Sequence, residues 1–511
     1  MIEEQVKVHD KFSLEIKLGF LAGDENINEF SVSTWLFIPN SLDINRWNYS
    51  KQNFYRDLKS NIRLITPVYT LQEIAERQND PYTLLEQSMQ RLTSRPGKET
   101  FGSYEYHIRM YVSIIKSALR DEIDFIVKNG TGVKTSVTEK GVVVKRAKET
   151  KPVPTAGIKG EIPELIKNYI SNVEKVTSNY RELRAMADTP STRDNLLNYY
   201  LFGDEFLSNL VEQHTFKLLD GLSKNHLLTP KVSTALMDLI NAEIEYKKTQ
   251  GYPYVKKNSR DRNRELVFRL SLLKKYAENE LFLDVVRRRE GVLIEQIYFS
   301  IAAGISMIFA TAVAFSIQRQ YGNLTMPFFV ALVVSYMLKD RLKDLARYYL
   351  AHRWGRRFFD TKTDISLNNR SIGWHKEGMD FITERKVPAE VLRLRQRSAI
   401  LEAENRNNQE QIILYRKLVR LRRDDLNKVS PYPVAGMNDI IRFNISNYIH
   451  KMDNPLVPLY IPTENNGTGI IKGEKIYYIN LIMQFKHSEG KRLKRYRIVL
   501  NRKGIKEVET F

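Results

Sequence analysis

IYFSIAAGISMIFATAVAFSI, Ile297 to Ile317, contains no charged residue. Wound as a helix rising about 1.5 Å per residue, the run is roughly as long as a bilayer's hydrocarbon core is thick, about 30 Å. The link QRQYGN follows, then a second apolar run, LTMPFFVALVVSYML from Leu324 to Leu338, which stops at Lys339. That run is short for a crossing. It reaches the needed length with Tyr321 and Tyr336 at interface depth, where aromatic rings are favoured. Pro327 falls in its first turn, where a missing N–H costs nothing. The expectation is a transmembrane helical hairpin over roughly 296–338. The rival reading, a buried hairpin at the centre of a soluble domain, fits the uninterrupted run and the one-sided charges less well.

Arg287, Arg288 and Arg289 precede the first run; Lys339, Arg341, Lys343, Arg347, Arg353, Arg356 and Arg357 follow the second. The link carries only Arg319. The positive-inside rule then places both long soluble parts and both termini in the cytoplasm, against a basic inner-leaflet flank, with the link outside. Ala302, Ser306, Ala310 and Ala314 recur every four residues on one face of the first run, as do Ala331 and Ser335 on the second. Small residues at this spacing let helix backbones approach closely, although alanine is also common in apolar helices. After the second run, Leu342, Leu345, Tyr349 and Leu350 make a partial apolar stripe among basic residues, with Trp354 near the end. Such a stripe suits either a helix lying on the inner leaflet or a solvated continuation of the span.

The 511 residues and a formal charge of +20 allow several globular domains and an anionic partner, either nucleic acid or a phospholipid surface. With no cysteine, a disulfide scaffold, a zinc ribbon and a thiol nucleophile are all excluded. The opening MIEEQVKVHDKFSLEIKLGF lacks a basic stretch followed by an apolar one, so no signal peptide is expected there.

The organisation expected is an α+β fold: two cytoplasmic soluble portions, β-hairpins plus a helical bundle, flank the two-helix hairpin. The divisions read are 1–130 (α+β), 131–160 (linker or exposed loop), 161–290 (helical), 291–353 (hairpin with basic flanks) and 354–511 (α+β). Phe12, Leu14, Ile16, Leu18 and Phe20 alternate with polar residues, and EFSVSTWLFIP reads as the partner strand of an antiparallel hairpin. Ile108, Val112, Ile115, Leu119, Ile123 and Ile126 mark one helix face that stops at Asn129-Gly130. Three to five helices fill 161–290, and ELVFRLSLLKKYAENELFLDVVRRRE suggests a stalk-like helix running into the first span. In the last region VLRLRQRSAILEAENRNNQEQ reads as helix, IILYRKLVRLRR fits strand or helix, and MNDIIRFNISNYIHKM reads as helix. Tyr477, Ile479, Leu481, Met483 and Phe485, then Tyr496, Ile498 and Leu500 beyond Gly490, make a terminal β-hairpin. With both termini on one side, the β elements of the two ends can form one composite body.

No catalytic motif emerges, and no catalytic, cofactor or metal residue is assigned. The eight histidines show no metal-ligand spacing; His214 and His226 share a helical region by chance, and Trp374-His375 reads as structural. GTGIIKGEK from Gly467 lacks the spacing and the Ser or Thr of a phosphate loop, and Asp424-Asp425 reads as a solvated acidic pair. Lys491, Arg492, Lys494, Arg495 and Arg497, with Arg502, Lys503, Tyr477, Tyr478 and Tyr496, form a basic aromatic hairpin suited to nucleic acid or another anion. The favoured reading of it is nevertheless a solvated, charged sheet edge or a surface facing the inner leaflet, with nucleic acid behind these.

FIPNSLDINRWNYSKQNFYRDLKSNIRLITP (37–67), with KMDNPLVPLY (451–460), resembles an uncharacterised family of bacterial membrane proteins over about a third of the chain. The resemblance implies a bacterial origin and carries over no activity, ligand or site. The leading expectation is a non-enzymatic scaffold, sensor or effector subunit. It would be anchored in the bacterial inner membrane by two spans, and would act with a cytoplasmic protein partner or a second copy and no cofactor. Membrane-tethered nucleic-acid binding and pore formation by hairpin oligomers, with Ser300, Thr311 and Ser335 as lining, are the alternatives.

Overall fold

The computed structural model describes all residues except 78–79, 131–161, 188–193, 323–324, 355–358, 408, 464–467 and 489. The expected linker at 131–160, together with Arg356 and Arg357, therefore lies outside the described residues. The chain opens with β1 (Ile2–Asp10), β2 (Ser13–Leu21), β3 (Ile27–Ile38), α1 (Lys51–Asp57) and β4 (Leu58–Leu64). Helices follow: α2 (Leu71–Ala75), α3 (Asp80–Ser94), α4 (Lys98–Gly130), α5 (Ile162–Glu182), α6 (Arg184–Ala187), α7 (Asp194–Lys224), α8 (Pro230–Gln250) and α9 (Arg260–Glu278). Strand β5 (Asp284–Arg289) leads to α10 (Val292–Tyr321) and α11 (Met326–Trp354). Next come β6 (Thr361–Leu367), β7 (Arg370–Ile382), α12 (Ala389–Arg395), α13 (Ala399–Asn407), β8 (Gln411–Arg422) and α14 (Arg423–Val429). The chain closes with β9 (Gly436–Asn444), α15 (Ser446–Ile449), β10 (Leu456–Pro462), β11 (Thr468–Glu474), β12 (Tyr477–His487), β13 (Gly490–Asn501) and β14 (Gly504–Thr510).

This mixed α+β chain divides into two compact units, one of residues 1–63, 283–429 and 436–511, the other of 64–282 and 430–435. These units cut across the divisions read at 130, 290 and 353. Strands from both ends of the chain meet in the first unit, forming the composite body considered above.

The first unit holds three sheets, of which β10 and β11 form a separate two-stranded one, and its core lies between the other two. Eight strands run in the order β14-β13-β12-β3-β8-β7-β6-β5, and four in the order β1-β2-β9-β4. Period-two alternation decides what lies between them. Leu14, Ile16, Leu18 and Phe20 of β2 are buried, as are Phe30, Val32 and Thr34 of β3 and Ile479, Leu481, Met483 and Phe485 of β12. Phe20 meets Phe30 with ring centroids 5.5 Å apart, and Phe54 meets Tyr415 of β8 and Phe443 of β9 at 5.5 and 5.9 Å, so the two sheets face each other. The other face of the larger sheet is covered too: Trp35, Phe37, Ile412 and Ile482 pack with Val387 and with Val391 of α12.

Three expectations change here and one open reading is settled. Strands β2 and β3 do not pair: β2 lies between β1 and β9, and β3 between β8 and β12. Strand β3 buries side chains on both faces, against the smaller sheet on one and against α12 on the other, cover that a two-strand hairpin cannot supply. Residues 437–452 form β9 and the short α15 rather than one helix, because Met437, Asp439, Ile441 and Phe443 point alternately inward. The ambiguous 412–423 run is strand β8. The stalk is interrupted: α9 ends at Glu278, and Asp284–Arg289 is an exposed edge strand paired with β6. β-branched Val285 and Val286 favour that extended path, and three successive arginines protect the edge from pairing with another chain.

In the second unit α4 buries Ile108, Val112, Ile115, Leu119, Ile123 and Ile126. Tyr111, Tyr180 and Tyr200 stack in a column, with centroids 5.9 and 5.1 Å apart and planes within 13° and 7°. Gly203 lies beneath it, where an added Cβ would land on the Tyr180 hydroxyl. Gly203→Ala is therefore expected to destabilise this unit by about 1–3 kcal/mol through overpacking. Urea unfolding followed by near-ultraviolet dichroism of the tyrosines measures the loss, and an unchanged midpoint refutes it.

Candidate functional site

Among the described residues one helix, α10, is long and apolar enough to cross a membrane. Within its segment Gln296–Gln320 the most apolar stretch has a mean hydropathy of 2.0, and only 11% of that stretch is buried. Ile297, Ile301, Ile305, Ile308 and Phe315 all stand exposed. Each such side chain left in water forgoes roughly 1.5–3 kcal/mol of burial, so an aqueous environment for this helix is unfavourable. Helix α11 does not meet the same test, because its apolar half ends at Lys339, and this reduces the expected pair of spans to one candidate. It continues unbroken through Trp354, with Leu345 and Tyr349 exposed.

The two helices pack along the small residues. Ala302, Ser306 and Ser335 are buried, Ala310, Ala314 and Ala331 are half-buried, and the Ser335 hydroxyl donates to the Ala310 carbonyl at 3.4 Å. Lys339, Arg341, Lys343 and Arg347 lie on α11, where Lys339 sits over the Tyr336 ring and Arg347 over the Phe299 ring of α10. Arg287, Arg288 and Arg289 belong to β5 and so to the sheet.

The foot of this helical pair is tied to the core. The Glu290 amide donates to the Asp360 carbonyl at 3.1 Å, and the Asp360 amide to the Glu377 carbonyl at 2.7 Å. Lys51 (2.6 Å), the Tyr55 hydroxyl (2.9 Å) and the Met379 amide (2.8 Å) all donate to the Asp360 carboxylate. Lys376 pairs with Glu290.

Inward from the foot lies a buried charge cluster. Lys417 of β8, fully buried, donates to Glu377 of β7 at 2.9 Å and to Asp439 of β9. Glu377 also accepts from the Tyr415 hydroxyl at 2.8 Å and faces Arg287 at 3.4 Å, while Ser60 of β4 donates to Asp439 at 2.6 Å. Burial opposes the Glu377 carboxylate, but Lys417 and its other donors outweigh this and hold it at about 2. His375, with Nε2 3.6 Å from Glu377, is pushed down to about 3, first by burial and then by Lys417. It is therefore neutral at neutral pH, and its Nδ1 has no hydrogen-bond partner. Buried Lys417 and the exposed Arg287 together offset the two carboxylates. The cluster joins both sheets to β5, the strand that leads into α10. No group of three or more His, Asp or Glu side chains able to hold a metal occurs among the described residues.

Most cations of the basic terminal hairpin carry an ion pair or hydrogen bond within the chain. Lys491 pairs with Glu390, Arg492 and Lys494 with Glu4, and Arg497 with Glu509. Arg495 reaches Asn480, Gln396 and the Leu394 carbonyl, and lies over Phe511. Tyr496 is buried, so it offers no stacking surface. Neighbouring residues along β13 also point to opposite sheet faces, which splits the patch.

Other sequence candidates are placed separately. His214 bonds the Leu210 carbonyl of its own helix at 2.8 Å, and His226 occupies the turn after α7 with φ of +56°. Asp425 pairs with Arg422 at 2.9 Å. Thr468–Glu474 is strand β11, and Gly467 lies outside the described residues.

Sequence reading missed a second buried cluster, in the helical unit. Asp204 accepts from Tyr246 and Tyr252 at 2.7 and 2.9 Å; Glu243 accepts from Ser208 and Arg181 at 2.7 and 2.8 Å. Lys247 reaches Asn209 at 2.8 Å and also Glu212. Burial, outweighing the tyrosine and Arg181 contacts, raises the Asp204 carboxyl. The available signal was polar spacing: Asp204, Ser208 and Glu212 recur at i, i+4 and i+8, opposite Glu243 and Lys247 at i and i+4. No family model, no curated protein and no solved structure matches this chain.

Proposed function

We propose that the protein is a non-enzymatic scaffold or sensor of the bacterial inner membrane, crossing it twice through α10 and α11 and presenting both soluble units to a cytoplasmic partner. The observation that carries the reading is the apolar, outward-facing surface of α10. Support for the second crossing comes from parity. Strands before and after the helical pair share one sheet, Asp284 opposite Ser366 and Val32 opposite Lys417, so they lie on one side of any membrane. If α10 crosses, the chain must return, and α11 is the long helix available between β5 and β6. The basic residues of α11 then set the orientation by the positive-inside rule. The sensor reading draws on the foot, where both ends of the helical pair engage the core within a few hydrogen bonds of the Lys417 cluster.

The Glu290–Asp360 backbone bond means that residues 291–359 can be replaced by a short glycine-serine link closing a β-hairpin. The full chain is expected to stay in the membrane pellet through high salt and alkaline carbonate, and the shortened chain to be soluble. Release of the full chain by salt alone overturns the anchor. Robust turnover by the shortened chain in a broad substrate screen overturns the non-enzymatic role.

A further inference from the structure

Strand register fixes which end of the eight-stranded sheet releases α10. Arg289 pairs with Thr361, Thr361 with Glu377, Glu377 with Lys417, Lys417 with Val32 and Val32 with Phe485. Following β5 toward α10 is therefore the same direction as following β12 from Phe485 down to Tyr477. The β10–β11 hairpin, which immediately precedes β12, leaves from that end too.

This hairpin is a sheet of two strands, and every described residue of both strands except Gly469 and Gly473 is exposed. Isolated two-stranded hairpins are marginal in water. One face carries Val457, Leu459, Ile461 and Ile471, each 39–53% exposed, opposite Gly473 and Gly469 and with no polar side chain. Leu459 and Ile461 lie over the two glycines, where a Cβ would crowd them at 2.7 and 3.2 Å. Pro458 and Pro462 reduce the N–H groups an edge strand leaves unpaired.

The loop after β3 connects this hairpin's base to the foot of the helical pair. Lys451 donates to Asp43 at 2.7 Å, Arg46 to the Phe381 carbonyl at 2.9 Å, and Lys51 to Asp360 at 2.6 Å. Between these ties Trp47 stands 94% exposed. Ile400, on the β7–β8 connection at the same end, is 78% exposed.

We infer that this end of the sheet is a second, peripheral membrane contact, in which Trp47 and the apolar face of the β10–β11 hairpin enter the interfacial zone of the leaflet crossed by α10. The inference rests on the reading of α10 as a span. Interface depth is all the hairpin can reach, since its open strand edges leave backbone groups that hydrocarbon cannot satisfy. Tryptophan favours the same zone. A lipid surface suits the site better than a second copy of the chain, because the apolar groups come from separate loops at the end that also releases the span.

The chain has no cysteine, so single cysteines can carry an environment-sensitive NBD label in the full-length protein. The protein is reconstituted in phosphatidylcholine–phosphatidylglycerol vesicles containing lipid-borne spin quenchers. Label at Ile305→Cys reports the span, at Leu459→Cys the hairpin, and at Ser488→Cys the opposite end of the sheet. The expected result is strong quenching at 305, quenching at 459 at least about twofold above that at 488, and more from shallow than from deep quenchers at 459. Trp47→Ala is expected to reduce the quenching at 459. Quenching at 305 with 459 matching 488 overturns the peripheral contact and leaves the span standing. No quenching at 305 overturns the span reading itself. A blue shift at 459 without lipid quenching assigns the face to a second copy and also overturns the proposal.

Discussion

Lys417→Met is expected to cost the first unit about 3–5 kcal/mol, since it leaves two buried carboxylates without their shared cation. The geometry gives Glu377 and Asp439 little alternative: Arg287 is 3.4 Å from Glu377, and Ser60 supplies Asp439 with one neutral hydrogen bond. The four tryptophans, at 35, 47, 354 and 374, all belong to this unit, so their fluorescence in a urea titration isolates it from the helical unit. Neutralising the carboxylates as well, in Lys417→Met with Glu377→Gln and Asp439→Asn, is expected to recover most of the loss. If the single variant matches the parent, the cluster is not a set of interdependent buried charges.

The same cluster fixes the pH response of this unit. His375 has a folded pKa near 3 against 6.5 unperturbed, so the unfolded chain takes up the proton first and stability falls as pH drops below about 6.5. Glu377, near 2 against 4.5, contributes stability that is present above pH 4.5 and lost as pH falls toward 2. His375→Gln is expected to flatten the upper part of that limb in tryptophan fluorescence while leaving the lower part. His107 and His214, both held near 4 chiefly by burial, act alike in the helical unit, where the tryptophans are silent.

What the sequence made legible and what it hid divide along a physical line. The α4 face, the terminal hairpin and the apolar run of α10 are local periodicities, and each appears where its pattern placed it. Pairing between strands is not local: nothing within residues 12–39 says that β2 and β3 part company into different sheets. Strand β9 was misread because an inward-facing position holds Asp439, which breaks the apolar alternation; the partner that makes it tolerable, Lys417, is on another strand. The counter-charges of the basic terminal hairpin are hidden for the same reason, since Glu4, Glu390 and Glu509 are supplied by other elements.

A cysteine at Gln320, beside the link between α10 and α11, is expected to react with a membrane-impermeant maleimide in intact cells. A cysteine at Ser488, in the exposed turn between β12 and β13, is expected to react only after permeabilisation. The contrast is all-or-none because the two positions are predicted on opposite sides. The apolar part of α11, Met326 to Leu338, extends only about 20 Å as a helix against a core of about 30 Å. The deficit is made up if Lys339 and Arg341 reach toward the headgroups along their aliphatic stems while the bilayer thins locally, each costing fractions of a kcal/mol per Å. If both helices cross, close packing along Ala302, Ser306, Ala310 and Ser335 would hold α11 at the depth set by its longer neighbour. Labelling of Gln320→Cys only from the inside would mean that the pair enters the membrane and turns back. Labelling of Ser488→Cys in intact cells would invert the orientation and remove the positive-inside argument. Because the sheet joins both ends of the hairpin on one side, no outcome with β5 and β6 on opposite sides is compatible with the fold.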